Sequence, residues 1–217
     1  MLGIKFARSG TSGLHLLCLG AHSDDIEIGC GGTILRLLGE NPDCSVTWIV
    51  FSASGERRQE AEVSGKRFLE SAREKEIIVR EYRDGFFPYT GVEIKSYFEE
   101  LKGRISPDVI LTHAGGDYHQ DHRLINELTW NTFRDHLILE YEIPKYDGDL
   151  GSPNFFVPLP SELVEKKVNL IIESFLSQEG KRWFSKDTFL SLMRIRGVES
   201  NSPFQFAEGF YARKLIY

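Results

Sequence analysis

Short apolar runs separated by longer segments of helical period limit what this chain can fold into more than any other feature. Leu14–Leu19 (LHLLCL) and Val46–Phe51 (VTWIVF) have the length and character of buried strands. Ile77–Val79 is a weaker third run, and Val109–Thr112 is a fourth, set up by Ser106-Pro107-Asp108. Between them, Thr33–Gly39 places Ile34, Leu37 and Leu38 at i, i+3 and i+4, and Glu56–Ser71 is charged with one apolar stripe. Val92–Arg104 puts Ile94, Phe98 and Leu101 on one face, and Gln120–Phe133 does the same with Leu124, Leu128 and Thr132. Strands alternating with helices predict an α/β fold built on a mostly parallel sheet.

The last third is less regular. Tyr141–Pro160 carries Pro144, Pro153, Pro158 and Pro160 and reads as a long loop bordering a site. Helices around Glu162–Leu176 and Asp187–Arg196 follow, with a closing strand near Ala207–Ile216. No repeat, low-complexity tract or Pro/Gly-rich linker divides the 217 residues, so one domain over 1–217 with an elaborated C-terminal part is expected.

Charge and cysteine usage exclude several classes. Lys+Arg 26 against Asp+Glu 32 gives a net charge of −6 without any block of like charge, which speaks against nucleic acid as the main partner. No apolar run approaches the ~18–20 residues that span a bilayer. The run Leu14–Leu19, interrupted by His15, is shorter than a secretory h-region. Cys18, Cys30 and Cys44 are odd in number and lack Cys-x-x-Cys spacing, against both a disulfide framework and a thiolate zinc site. The compartment expected on these grounds is the reducing cytoplasm.

Two clusters carry chemistry. Gly20-Ala21-His22-Ser23-Asp24-Asp25 follows the first strand, where ligands bind in an open α/β sheet. One imidazole and two adjacent carboxylates are costly together unless something positive lies between them, and a divalent cation is the natural candidate. Gly29-Cys30-Gly31-Gly32 then leads into the next helix. The second cluster, His113 to His122, holds three of the six histidines directly after the fourth strand. His119 and His122 are three apart and can point the same way at a helix start, and Asp121 can orient one of them through its ring N–H. If the two strands are neighbours the clusters meet, and His/His/Asp plus a water is the open three-ligand geometry of a catalytic zinc.

Other signals are weaker. Gly29-Cys-Gly-Gly-Thr-Ile lacks the third glycine of a dinucleotide fingerprint, Ser64-Gly65-Lys66 lacks the upstream glycine of a P-loop, and no Gly-x-Ser-x-Gly is present. Arg57 and Arg58, after the second strand, offer a fork for a hydroxyl, phosphate or carboxylate, or simply a solvated helix face.

At these residues the chain resembles the LmbE-like (PIG-L) family of zinc-dependent N-deacetylases. The family's His-(Pro/Ala/Ser)-Asp-Asp segment corresponds to Ala21-His22-Ser23-Asp24-Asp25, and its His-x-Asp-His-Arg motif to His119-Gln120-Asp121-His122-Arg123. Ser54-Gly55-Glu56-Arg57, Asp84-Gly85, Pro107-Asp108-Val109, Ser177-Gln178, Arg196-Gly197 and Ala207-Glu208-Gly209-Phe210 follow the family's order. The resemblance implies a Rossmann-like fold and removal of an N-acetyl group, usually from a glucosamine-type sugar, free or nucleotide-linked. It implies His22, Asp25 and His122 as zinc ligands, Asp24 as general base, and His119 as the residue that stabilises the oxyanion or protonates the amine. Asp121 would orient His119, and Arg57 would contact substrate. A tyrosine that precedes the second motif by two residues in the mycothiol branch is Asp117 here, so no tyrosine contact is implied.

The implied partner is a small N-acetylated sugar or sugar conjugate, with a homo-oligomer compatible with the sequence. Fe(II) and Co(II) share the zinc donor set. A non-haem Fe(II) enzyme and a non-catalytic sugar-binding protein on the same scaffold remain as alternatives. The first normally sits in a β-rich barrel, and the second would not need Asp24, His119 and Asp121.

Overall fold

The fold is set by six parallel strands and one reversed strand in a single sheet. The computed structural model describes residues 3–6 and 13–216, so the outermost residues of the domain expected over 1–217 lie outside the described residues. In chain order the elements are β1 (His15–His22), α1 (Asp25–Glu40), β2 (Ser45–Ser52), α2 (Gly55–Phe68), β3 (Glu74–Val79), α3 (Gly91–Arg104) and β4 (Val109–His113). These are followed by α4 (Gln120–Thr132), β5 (Leu137–Tyr141), β6 (Phe155–Leu159), α5 (Ser161–Ser174), α6 (Lys186–Glu199) and β7 (Phe206–Ala212). The strand order is β3-β2-β1-β4-β5-β7-β6, with β7 antiparallel to both of its neighbours.

Alternating side chains of the central strands feed two cores, as a pleated strand covered on both faces requires. In β1, Leu16 and Cys18 pack with Ile34, Ala61, Val168 and Phe189 from α1, α2, α5 and α6. Leu17, Leu19 and Ala21 turn the other way, onto Ile94, Phe98 and Leu101 of α3 and Ile125 of α4. The reversal of strand order falls between β1 and β4, which pair in parallel through Leu16↔Val109 and Cys18↔Leu111. The crevice at such a reversal is where open α/β sheets bind ligands.

Three expectations change. First, α1 begins at Asp25, not Thr33, so Gly29, Gly31 and Gly32 lie inside the helix and do not lead into it. They serve close packing: a Cβ on Gly29 would meet the Tyr141 ring, one on Gly31 the Phe68 ring, and one on Gly32 Leu159 and Glu208. Second, Tyr141–Pro160 is not all loop. It contains the end of β5 and the whole of β6, an edge strand paired only with β7, which is why Pro158 is tolerated in it. Third, the closing strand stops at Ala212, and residues 213–216 are irregular.

The role of the α1 glycines predicts opposite outcomes for one substitution at two places. Gly29→Ala should destabilise by roughly 1–3 kcal/mol through overpacking against the buried Tyr141. Gly39→Ala, which meets nothing within 4 Å in the same helix, should stabilise by about 0.5–1 kcal/mol from helix propensity. Urea unfolding of both variants checks the pair.

Candidate metal centre and active site

Both polar clusters arrive at the β1–β4 boundary. His22 ends β1, Ser23 and Asp24 turn the chain, and Asp25 opens α1. His113 ends β4, His119 caps α4, and His122 lies in that helix's first turn. His22 Nδ1 is 3.2 Å from His122 Nε2 and 3.3 Å from Asp25 Oδ2, and His122 Nε2 is 3.6 Å from Asp25 Oδ2. Ligands at ~2.0–2.2 Å from a tetrahedral zinc lie about 3.3–3.6 Å from one another, so the three atoms are spaced close to one face of such a site.

The neighbours of each imidazole fix where its proton sits. His122 Nδ1 is 2.8 Å from Asp117 Oδ2. A carboxylate only accepts, so Nδ1 carries the hydrogen and Nε2 keeps its lone pair. His22 Nε2 is 3.0 Å from Asp84 Oδ1 and 3.4 Å from Asp121 Oδ2, which leaves the lone pair on Nδ1. Three lone-pair donors thus converge, and the site demands positive charge. Burial pulls the His22 pKa down, but Asp25, Asp121 and Asp84 carry it well above the ordinary value. Burial likewise raises Asp25, yet the charges of His122, His113 and His22 hold its carboxyl well below the usual range. A divalent cation bound by His22, Asp25 and His122 fits this donor set.

Asp24 is buried beside this centre. Its Oδ1 is 3.0 Å from Arg57 Nη2, and its Oδ2 has no hydrogen-bond partner among the described residues. Burial pushes its carboxyl up, and the Arg57 charge only partly offsets this. Arg57 is committed inward, to Asp24, to Glu60 at 3.5 Å and to Ser177 Oγ at 3.4 Å. Glu60 in turn accepts from the Ser177 N–H at 2.7 Å and from its hydroxyl at 2.6 Å, pinning the segment after α5 over the start of α2.

The hydrogen bond expected between Asp121 and His119 is replaced by another arrangement. As N-cap of α4, His119 Nδ1 accepts the backbone N–H of Asp121 at 3.2 Å and cannot also donate to that residue's carboxylate. The Asp121 carboxylate accepts instead from Gly85 N–H at 2.7 Å and Phe87 N–H at 3.1 Å, and faces His22. Asp121 therefore orients His22 and ties down the 84–90 segment. Neutral His119 carries its hydrogen on Nε2. Burial and the His22 charge lower its pKa, which favours that neutral form.

Residues 17–133 match the family described as PIG-L: GlcNAc-PI de-N-acetylase, more than half of the chain. The chain belongs to the PIG-L family. Solved structures with the same fold include the conserved protein TT1542 from Thermus thermophilus, at TM-score 0.71 and 18% identity over 94% of this chain and 97% of that one. Another is an N,N'-diacetylchitobiose deacetylase from Pyrococcus horikoshii, at 0.68 and 19% over 92% and 84%. A third is GalB, a 4-carboxy-2-hydroxymuconate hydratase from Pseudomonas putida KT2440, at 0.66 and 16% over 94% and 98%.

In this PIG-L protein, sequence reasoning assigned no role to three residues that shape the centre. Asp117 binds both histidines of the second motif, through His119 N–H at 2.8 Å and His122 Nδ1 at 2.8 Å. His113, fully buried, stacks on His122 with centroids 3.9 Å apart and accepts the Ala21 N–H at 2.9 Å, locking β4 to β1 at the site. Asp84 reaches His22 from an exposed position. Spacing gave a signal only for Asp117, five residues before His122 across a helix start.

Because Asp25, Asp121 and Asp84 raise the His22 pKa, zinc added to the metal-free protein at pH 7 should displace a proton from that ring and release about one proton. Apparent affinity should rise about tenfold per pH unit below the raised His22 pKa and level off above it. Titration calorimetry in buffers of different ionisation enthalpy checks this. Binding without proton release would contradict a protonated His22 in the metal-free protein.

Proposed function

We propose that the protein is a zinc-dependent hydrolase that removes acetyl from an N-acetylated amino sugar of the N-acetylglucosamine type, free or nucleotide-linked. The observation that carries the reading is the pairing of a three-donor centre, His22, Asp25 and His122, with a buried carboxylate oxygen, Asp24 Oδ2, that nothing else occupies. The fold does not choose the reaction, since a hydratase and a chitobiose deacetylase share it. The residues favour amide hydrolysis, which needs a base for water, a donor for the carbonyl oxygen and a proton for the leaving nitrogen.

A zinc ion at this centre supplies a Lewis acid and lowers the pKa of water toward ~7. Asp24 Oδ2 takes the proton of the attacking water, and its raised pKa suits it to hold that proton and pass it to the nitrogen as the C–N bond breaks. Arg57 holds the other oxygen of Asp24 and so fixes which one works. A ring nitrogen of His119 lies within 4.8 Å of donor atoms of His22 and Asp84. The Nε2–H of neutral His119 is the donor for charge developing on the carbonyl oxygen. Acetate and a free amine are the products.

The test is acetate release from a panel of N-acetyl sugars, free and nucleotide-linked, by zinc-loaded protein. Asp24→Asn should keep zinc and lower kcat by ~10²–10⁴. His119→Ala should keep zinc and lower kcat by ~10²–10³. His122→Ala should lose the metal. Near-normal turnover in Asp24→Asn would remove it as the base, and zinc loss in His119→Ala with retention in His122→Ala would exchange the two histidines.

A further inference from the structure

The segment between β5 and β6 grips the second motif from behind. Lys145 Nζ is 3.0 Å from Asp117 Oδ2 and is also paired with Asp149, whose Oδ2 accepts the Tyr118 N–H at 2.7 Å. All three side chains are nearly dry, with Lys145 12% exposed and both carboxylates 3%. The segment is itself fastened. Glu142 accepts from Arg196 of α6 at 2.8 and 2.9 Å and from the Gly151 N–H at 3.2 Å. Lys145 is thus delivered to Asp117 by a scaffold anchored at both ends.

A carboxylate buried this deeply needs a compensating cation. Among the described residues, Lys145 is the only lysine or arginine paired with the Asp117 carboxylate. The remaining donors to the Asp117 carboxylate are the His119 amide and His122 Nδ1–H, both uncharged when His122 acts as a ligand, while Arg123 donates to the Asp117 backbone carbonyl at 3.1 Å.

We propose that Lys145 is a positioning residue for the metal centre. By pinning Asp117, it holds His122 with Nδ1 as donor and Nε2 aimed at His22 and Asp25. Removing the ammonium leaves a buried anion without its counter-charge. The carboxylate then moves toward water, and His122 loses the partner that sets its ring orientation. This role rests on the assignment of His122 as a ligand.

Zinc affinity by chelator competition, the visible absorption of the cobalt(II)-substituted protein and the melting temperature of the metal-free protein are compared for wild type, Lys145→Met and Lys145→Arg. Lys145→Met should bind zinc roughly tenfold more weakly or worse and change the cobalt bands, the scale seen when a ligand's supporting partner is lost. Lys145→Arg should recover most of both. Wild-type affinity and cobalt bands in Lys145→Met overturn the proposal, whatever its melting temperature, and so does a loss that Lys145→Arg does not recover. Should Lys145→Met fail to fold, Lys145→Gln is judged by the same criteria. A wild-type protein that binds no zinc would overturn the ligand assignment itself, whereas firm zinc binding indifferent to residue 145 overturns only this role.

Discussion

The parallel pairing of β1 with β4 is the constraint on which the site depends. Asp25 and His122 are 97 positions apart in the chain, yet Asp25 Oδ2 and His122 Nε2 lie 3.6 Å apart because their strands are neighbours at the point where strand order reverses. His113 reinforces that pairing at the place of use: its Nε2 accepts the Ala21 N–H of β1 while its ring carries His122. A shift of β1 against β4 by one residue would turn every side chain to the other face. It would therefore separate the donors as well as the two cores.

The second dependence runs through α1, which carries Asp25 and must lie very close to the sheet. Its glycines allow the approach, and the C-terminal elements hold it there. Glu208 of β7 accepts from the Gly32 and Thr33 N–H groups at 2.8 and 2.7 Å. Lys167 of α5 donates to Ile28 O at 2.7 Å and to Glu208 Oε1 at 2.6 Å. This buried pair is satisfied only when β7, α5 and α1 are all in place. The elaborated last third thus does structural work for a candidate site whose proposed donors all come from the first two thirds.

This division explains what could be read in advance. The alternation of Leu16–Leu19 with the Val109–Leu111 run made the sheet legible, and His22-x-Asp24-Asp25 with His119-x-x-His122 marked the two polar clusters that the fold brings together, because periodicity and spacing are local. The start of α1 was not legible, because glycine suppresses a helical pattern and its reason lies in Tyr141 and Glu208, distant in sequence. β5 and β6 were obscured by shortness and by Pro158. The hydrogen-bond partners of Asp121 were not legible for a related reason. Proximity in sequence suggested His119, but the capping geometry of α4 uses that imidazole as an acceptor and frees the carboxylate for His22.

Asp24 and Asp25 show how neighbouring identical side chains acquire different tasks. Both are buried, and burial raises both. Asp25 faces three imidazoles, whose charges more than offset that cost and keep it ionised as a donor to a cation. Asp24 faces a single guanidinium, which satisfies one oxygen and leaves the other without a partner, so its net shift is upward. Groups whose surroundings drive their pKa values apart are divided into roles by that fact. Here adjacent positions at the end of β1 are enough, since Asp25 lies beside His22 and His122 while Asp24 Oδ1 pairs with Arg57 of α2. The proposed division into ligand and base therefore rests on which element each residue faces, not on which residue comes first in the motif.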